Sequence, residues 1–436
     1  MESEKMKQHF QRFANVGRYA LVLPFLVLGM ASFGRADDES APPVHPITTT
    51  SRGFDFPMER PIYTPPHTEG VLGRCFPNIH GGEAIHLDYL YTGGVFNNSR
   101  GGIRTREATV YTGISDIGIT IDTKKLGLWK NGTFYVASFF SHGPNVSDFT
   151  GDYQSVTVYA YETPAQVSEY WYEHRFFNDK VKIKAGKQDA SADFFNLSAT
   201  GDFLNASATC IPTTFIPNPP NNAWGVGAYW DVSERFCLKA GIFDAKPFGD
   251  RFWTSETGDL YSTYQIERHH SLCCGLPGFA FFGAWYDSSS IDMLDGSGKS
   301  RAGNYGFTAG VEQMLYRRNV CDDEDMRGVT AFFQYGWTEK NRGELRDYFG
   351  AGLTWLGLMQ NRPEDSIGVG VNVARFSEGY RREESLPHAY ESAWEFYYRV
   401  QLTENCMLQP DLQYVVHPGV EHNDAIVTGL VFQIVF

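Results

Sequence analysis

The last twelve residues of this 436-residue chain read A-I-V-T-G-L-V-F-Q-I-V-F, and they constrain the fold more than any other segment. Side chains of an extended strand alternate between two faces, so Ile426, Leu430 and Phe436 share one face while Val427 and Val431 share the other. An apolar strand at the end of a soluble protein is an edge that is open to aggregation. In a closed barrel the same strand pairs with the first strand and the edge disappears.

The same two-faced pattern repeats upstream, from about residue 81 onward. Apolar side chains alternate with polar or small ones in several runs, which are 117–122, 235–242, 329–337, 366–373 and 394–402. A β-sandwich would produce the same alternation, because one face packs and the other meets water. Convincing amphipathic helices are absent from the pattern, and the chain is expected to be all-β.

Aromatic residues favour a membrane barrel over a sandwich. They make up 15% of the chain, and Trp337, Trp394 and Phe436 stand near the ends of alternating runs. A transmembrane barrel hides its apolar residues in alternation, so the mean hydropathy of −0.32 does not argue against one. Strands of about 10 residues plus turns, over the region after Gly81, predict a transmembrane antiparallel β-barrel of about 16 strands.

The first 36 residues have the organisation of a secretory signal peptide. A basic beginning precedes the apolar run 19–30, and small residues at Gly34 and Ala36 offer a cleavage site before Asp37. A retained membrane anchor is the alternative, but the run is short for a span and Pro24 interrupts it. Residues 37–80, rich in Pro, Thr and His, are expected to form a lead segment without regular structure, and 81–436 the barrel.

Charge and cysteine content narrow the class further. The formal net charge is −14, and removal of the basic leader would make it more negative, which argues against a nucleic-acid partner. Seven cysteines in an exported chain permit disulfides, and their odd number leaves at least one unpaired or intermolecular. Their scatter through the predicted strands and turns suggests disulfides that join loops more than a metal site.

Five sequence blocks carry a family resemblance. They include K-L-G-L-W-K-N-G-T-F-Y-V-A-S, E-Y-W-Y-E-H-R-F-F-N-D-K-V-K-I-K-A-G-K-Q-D-A and L-Q-P-D-L-Q-Y-V-V-H-P-G, and they lie at 125–154, 169–190, 202–207, 238–244 and 408–419. In order and spacing these blocks resemble the carbohydrate-selective porin family, OprB, over nearly the whole barrel. The C-terminal Phe436 also matches the terminal signal of outer-membrane barrels.

The resemblance implies passive diffusion of mono- and oligosaccharides, with no chemistry and no cofactor. It also implies a location in the outer membrane of a Gram-negative-type bacterium and contact with outer-membrane lipid. It leaves open whether the protein forms a homo-oligomer. Three alternatives are a general-diffusion porin, an outer-membrane enzyme built on a barrel, and an exported soluble β-protein that binds polysaccharide.

The predicted pore lining follows from the strand faces. In E-Y-W-Y-E-H-R-F an indole shares one face with two carboxylates and a guanidinium, and this combination suits a sugar, which has an apolar C–H face and a ring of hydroxyls. The candidate substrate-binding residues are Glu169, Trp171, Glu173, Arg175, Lys182, Lys184, Lys187, Asp189, Lys239, Glu395 and Arg399. The alternative for each residue is that its charged side chain only meets the water of the lumen and has no preference for a ligand. Lys187 and Asp189, placed just past a strand end, could equally fix a turn by an ion pair.

Three further features bear on the site. The loop at about 191–223 is long, and we expect it to fold inward and narrow the pore. The cluster of His269, His270, Cys273 and Cys274 could ligate a metal, but its spacing is irregular and a polar loop explains it as well. The acidic run 322–325 fits a solvated turn, with a calcium site as the alternative. No metal site is predicted.

Overall fold

The computed structural model describes residues 84–161, 163–247, 257–272, 275–322 and 324–436. The predicted signal peptide, the lead segment and the start of the barrel at residue 81 lie outside these residues, so they stay predictions. Among the described residues, no helix is both long enough and apolar enough to cross a membrane.

Sixteen antiparallel strands form one closed barrel, in which each strand pairs with its sequence neighbours and β16 pairs with β1. The strands are β1 (Ile85–Arg100), β2 (Thr109–Asp122), β3 (Gly132–His142), β4 (Ala165–Phe176), β5 (Val181–Gln188), β6 (Ala223–Ser233), β7 (Phe236–Asp244), β8 (Leu260–Leu272), β9 (Leu276–Asp292), β10 (Ser300–Arg317), β11 (Gly328–Thr338), β12 (Leu345–Leu356), β13 (Ser366–Phe376), β14 (Tyr390–Thr403), β15 (Cys406–Val416) and β16 (Ala425–Val435). The predicted fold class and strand number are confirmed.

The C-terminal strand closes the barrel as its alternation predicts. Leu90 pairs with Val435 and Val95 with Leu430, so β16 runs along β1 over most of its length. The backbone N–H of Phe436 donates to the carbonyl of Tyr89 at 2.9 Å, and the two rings stack with centroids 4.7 Å apart. The terminal edge is therefore fully paired, which removes the aggregation hazard of an open strand.

The outer surface of the barrel is apolar, in agreement with the sorted sequence faces. Leu238, Ile242, Phe333, Val369 and Trp394 are all exposed on it. A row of aromatic rings occupies the outside of β3 and β4 near the turn that joins β2 to β3, where the Trp129 indole donates to the Tyr172 hydroxyl at 2.5 Å. These two features match an outward apolar band with an aromatic girdle.

The two ends of the barrel differ in the length of their connections. At the end that holds the last residue, short turns such as 177–180, 234–235 and 404–405 join the strands. At the other end two long loops, 143–164 and 189–222, connect β3 to β4 and β5 to β6. The long loops carry short helices α1 (Ser147–Thr150) and α2 (Ala206–Thr209), and α3 (Glu378–Glu383) lies between β13 and β14.

Both long loops fold into the lumen. Phe203 of loop 189–222 packs edge-on against Tyr397 and Phe332 of the barrel wall, with ring centroids 5.0 and 5.5 Å apart. Val146 and Val156 of loop 143–164 are completely buried in a cluster with wall residues of β1 and β16. The predicted inward fold of the segment 191–223 is confirmed, and the loop 143–164 is a second inward loop that the sequence did not indicate.

The lumen wall is less polar than the alternation suggests. Phe332, which lies on the face assigned as polar or small, points inward and is almost fully buried against Phe203. Several other inward aromatics do the same beneath loop 189–222, namely Tyr229, Phe243, Tyr261, Phe281, Trp285, Tyr348 and Tyr397. An inner aromatic is stable here because the loop covers it, so it is removed from water as in a soluble core.

Four cysteines within the described residues, Cys210, Cys237, Cys321 and Cys406, are free thiols. These four cysteines therefore do not form disulfides that join loops. The remaining three, Cys75, Cys273 and Cys274, lie outside the described part of the chain.

Candidate functional site in the barrel lumen

Strand β4 presents the predicted face to the lumen, and its side chains pair with one another. The indole Nε1 of Trp171 donates to Glu169 Oε2 at 3.0 Å. The guanidinium Nε of Arg175 donates to Glu173 Oε1 at 3.0 Å, and Lys182 Nζ lies 3.5 Å from the other oxygen of Glu173. The charges predicted on this face are thus brought together, and they partly neutralise each other.

The indole of Trp171 is already packed by lumen residues. Lys184 Nζ lies 4.6 Å from the ring centroid, and the Tyr135 ring from β3 lies 5.0 Å away at an interplanar angle of 31°. A cation above an indole is a favourable contact that a stacking sugar would have to displace or share. The role of Trp171 as a sugar platform therefore stays a prediction.

Lysines of the wall converge on Asp193, at the start of loop 189–222. Lys184 Nζ contacts Asp193 Oδ2 at 2.6 Å, and Lys239 Nζ donates to the Asp193 carbonyl at 2.9 Å while pairing with Glu267 at 2.5 Å. Burial alone would raise the pKa of Asp193, but Lys184, Lys182 and Lys239 together hold it below its usual value. Lys184 and Lys239 thus help hold the loop in place.

Lys187 and Asp189 do not sit together past a strand end. Lys187 lies within β5, almost fully buried, and its Nζ donates to the carbonyl of Val167 at 3.3 Å. Asp189 follows β5 and its Oδ1 accepts from the backbone N–H of Ser191 at 2.9 Å and from the Ser191 hydroxyl at 2.7 Å. Asp189 thereby shapes the entry into loop 189–222.

The two predicted residues of β14 also face loop 189–222. Glu395 accepts from the backbone N–H groups of Leu204 and Asn205 at 2.6 and 3.0 Å. Arg399 Nη1 contacts Asp202 Oδ1 at 3.2 Å. The predicted residues on β14 therefore reach the loop 189–222, and they do not meet the β4 residues in one cluster.

A cavity of about 310 Å³ lies between the two inward loops and the wall of β1, β2, β14, β15 and β16. Aromatic, carboxylate, guanidinium and amide groups line it, including Tyr159, Tyr161, Asp116, Asp202, Arg399, Gln409 and Gln433. The Tyr161 ring packs on Phe139 with centroids 4.9 Å apart, and Gln433 Nε2 donates to the Tyr159 hydroxyl at 3.4 Å. Asp189 and Arg399 are the predicted residues that reach this cavity.

A second cavity of about 210 Å³ lies nearer the short turns. Its lining includes the predicted residues Arg175, Lys182 and Lys239, together with Asp193 and Glu267. The predicted basic residues thus line a chamber of their own, on the other side of the first turn of loop 189–222.

Sequence reasoning missed Tyr159, Tyr161 and Asp116 as lumen residues. The segment V-Y-A-Y around Tyr159 has no strand period of its own, because it belongs to the inward loop 143–164. Asp116 stands in a strand whose other face is Ile117, Ile119 and Ile121, so its inward position could have been taken from the alternation.

The sequence signals for a metal have no counterpart within the described residues. No group of three or more His, Cys, Asp or Glu side chains there is arranged to hold an ion. Asp325, from the acidic run, instead binds Arg327 through both carboxylate oxygens at 2.7 and 2.9 Å. Cys273 and Cys274 of the other candidate lie outside the described part.

A closed sixteen-stranded barrel with an apolar exterior, a lumen narrowed by inward loops and a cavity between those loops defines an outer-membrane porin. The sequence matches the model of the carbohydrate-selective porin OprB family over residues 106–436, so the chain belongs to that family. Members of this family let sugars cross the outer membrane of Gram-negative bacteria, and this is the function of the protein.

Known relatives agree with this assignment. The chain is 23% identical to Porin B of Pseudomonas aeruginosa over 398 residues, which cover 79% of this chain and 86% of that protein. The high-pH structure of Pseudomonas putida OprB superposes with a TM-score of 0.74 at 21% identity, over 82% of this chain and 96% of that one. The outer-membrane channel DcaP of Acinetobacter baumannii shares the fold at 8% identity and a TM-score of 0.51, over 81% and 97% of the two chains.

Proposed function

We propose that sugars pass through the cavity between the two inward loops, that Tyr159 and Tyr161 contact their C–H faces, and that Asp202 and Arg399 bind their hydroxyls. The observation that carries this proposal is the composition of the lining, because aromatic planes beside a carboxylate–guanidinium pair match the two chemical faces of a sugar. Each contact is weak, which permits release as well as entry.

The transport step is passive and requires no catalytic residue. A sugar crosses unchanged, down its own gradient, because water-filled cavities line the path and the loops only narrow it. Trp171, with Lys184 on its ring, forms a second contact on the β4 wall. Arg175, Lys182 and Lys239 line the chamber nearer the short turns.

The same proposal includes the lipid around the barrel and the direction in which the barrel crosses the membrane. Outer-membrane lipid contacts the exterior band, because exposed Leu238, Ile242 and Val369 would otherwise meet water. By the usual arrangement of short periplasmic turns and long outer loops, the end with the last residue faces the periplasm. Formation of a homo-oligomer stays a prediction that chemical cross-linking in native membranes tests.

Liposome swelling tests the proposal directly. Vesicles that contain the protein should admit glucose faster than protein-free vesicles, and should prefer glucose to an amino acid of similar size. Equal entry of the two solutes would instead identify a general-diffusion porin. Recovery of chemically altered sugar from the vesicles would contradict the passive mechanism.

Substitutions separate the two candidate contacts. Tyr159→Ala and Trp171→Ala should each reduce the preference for glucose while KCl conductance stays near that of the parent protein. Trp230→Ala is the matched control, because Trp230 is half-exposed on the outer surface and cannot contact a solute in the lumen. If the Tyr159→Ala and Trp230→Ala proteins discriminate sugars equally well, Tyr159 has no role in sugar contact.

A further inference from the structure

Two arginines and one aspartate form a charged cluster on the outer surface of the barrel, at the end opposite to the last residue. Arg346 and Asp347 stand at the start of β12, and Arg375 lies at the end of β13. Asp347 is the cross-strand partner of both Arg375 and Trp337, and the Trp337 ring stacks on the exposed ring of Phe307. The cluster therefore belongs to the exterior and not to the lumen.

A β-bulge brings Arg346 and Asp347 to the same side of the sheet. Leu345 of β12 pairs with Phe376, and Asp347 pairs with Arg375, so Arg346 between them has no cross-strand partner. Successive side chains of a regular strand point to opposite faces, whereas a bulge re-aims one of them. Arg346 thus reaches the carboxylate of its own neighbour, and its Nε lies 3.4 Å from Asp347 Oδ2.

The two guanidiniums share this one carboxylate. Arg375 Nη1 lies 3.3 Å from the same Oδ2, and the other oxygen of Asp347 accepts from the Tyr335 hydroxyl at 3.2 Å. The aspartate side chain is only 8% exposed, whereas those of Arg346 and Arg375 are 44% and 48% exposed. A guanidinium carries several N–H donors, so the cluster keeps a net positive charge and donors for a further anion.

Aromatic side chains place the cluster at the height where the membrane meets water. Tyr390, the cross-strand neighbour of Arg375, is 41% exposed. Tyr305 is 40% exposed, and its ring centroid lies 6.1 Å from that of Trp337. Tyr and Trp gather at the level of the lipid headgroups, because their rings are amphipathic. In the proposed orientation of the barrel, these headgroups are those of the outer leaflet.

The chemistry of the cluster favours a phosphate group as its partner. The chain has a formal net charge of −14, so exposed guanidiniums beside each other on the lipid-facing surface do not follow from its composition. A guanidinium presents paired N–H donors that fit the oxygens of a phosphate. Charged side chains on the outside of a barrel are also costly in the middle of the membrane and tolerated near its interfaces.

We propose that Arg346 and Arg375 bind a phosphate group of a phosphorylated glycolipid of the lipid A type in the outer leaflet, and that Asp347 competes with this phosphate for the same donors. The inference depends on the proposed orientation of the barrel and not on the route of the sugar. A basic side chain near a charged membrane surface strengthens binding about fivefold. We therefore expect loss of either arginine to weaken lipid A binding about fivefold.

The test is titration of the folded protein in detergent with diphosphorylated lipid A and with the same lipid after removal of its phosphates. Native mass spectrometry counts the lipids bound to each barrel. The parent protein should prefer the phosphorylated lipid, and Arg346→Gln and Arg375→Gln should each lower its affinity about fivefold. Arg268→Gln is the matched control, because Arg268 is exposed on the outer surface near the short turns, opposite Phe236. If the arginine variants of the cluster bind lipid A as tightly as Arg268→Gln does, the proposal is wrong.

Asp347→Asn separates lipid binding from a merely structural role of the cluster. This change removes the competing carboxylate and keeps both guanidiniums, and the amide oxygen can still accept from the Tyr335 hydroxyl. A phosphate site should therefore bind lipid A more tightly in this variant, whereas an ion pair that only joins β12 to β13 would gain nothing. Unchanged or weaker binding by Asp347→Asn overturns the proposal, even where an arginine variant fails to fold.

Two further measurements identify the source of the phosphate and protect the proposed function. Inorganic phosphate at the same molar concentration should not displace lipid A, because the acyl chains add contacts with the apolar exterior; displacement would indicate a site for free phosphate and overturn the proposal. Glucose entry into proteoliposomes should be equal for the parent protein and the Arg346→Gln and Arg375→Gln variants. Absence of lipid A binding in a protein that admits glucose contradicts this inference alone, and absence of glucose entry contradicts the proposed function alone.

Discussion

The hydrogen bonds of Glu395 provide a sharp test of how loop 189–222 is held in the lumen. This buried glutamate accepts one backbone N–H on each oxygen, from Leu204 at 2.6 Å and from Asn205 at 3.0 Å. Glutamine has the same shape but one acceptor oxygen, and its amide nitrogen only donates. In Glu395→Gln, therefore, one of the two N–H groups must lose its partner.

The expected cost follows from that lost bond. A buried backbone donor left without a partner costs about 1–3 kcal/mol. At about 1.4 kcal/mol for each factor of ten, the population of the undocked loop should rise about five- to 150-fold. The undocked loop no longer fills the lumen, so the conductance should fluctuate between the normal level and a larger one.

Glu312 on β10 is the matched control, because it holds the same loop through different donors. Its oxygens accept from the backbone N–H of Ala199 at 2.8 Å and from the Ser198 hydroxyl at 2.6 Å. A hydroxyl both donates and accepts, so in Glu312→Gln the amide nitrogen can donate to Ser198 while the oxygen keeps the N–H of Ala199. The conductance of this variant should fluctuate much less than that of Glu395→Gln.

Single-channel recording of the two variants in planar bilayers is the assay. Overall stability would be a poor measure, because it reports the whole barrel rather than the docking of one loop. A Glu395→Gln channel as quiet as the parent protein, or one no noisier than Glu312→Gln, would refute the hydrogen-bond argument.

Two further predictions concern the seam and the second loop. Deletion of Phe436 removes its N–H bond and its stacking contact with Tyr89, so we expect less folded barrel in the membrane, measured by heat-modifiable gel mobility, before any change in the conductance of the barrels that do insert. Burial raises the pKa of Asp152 to about 7, with Glu391 contributing. Because the unfolded value is about 3.9, ionisation between about pH 4 and pH 7 weakens the docking of loop 143–164 as pH rises. Current noise should grow from pH 4 to pH 8, and an Asp152→Asn channel with the same pH response would contradict this.

The barrel could be predicted from the sequence because its signal is local. Alternation with period two assigned Phe333, Val369 and Trp394 to the exterior, and strand length gave the number of strands. Closure followed from the apolar C-terminal strand, whose partner is β1. None of these inferences requires knowledge of which loop reaches which part of the wall.

The interior could be predicted only as far as the direction of each side chain. Lys184 and Glu395 point into the lumen as the alternation requires, yet each contacts loop 189–222 rather than open water. Phe332 breaks the polar pattern because Phe203 covers it. Glu395 and Phe332 are far in sequence from their loop partners Leu204 and Phe203, and no periodicity within a strand records these contacts.

For the same reason, the position of a charged residue on a strand does not tell whether its side chain acts on a passing solute. A charge such as Lys184, 4% exposed and paired with Asp193, is used in docking a loop, and its field at a passing sugar is largely cancelled. Asp202 contributes to both tasks, because it contacts Arg399 and remains exposed to the cavity. The inward loops therefore decide which wall charges remain to act on a solute.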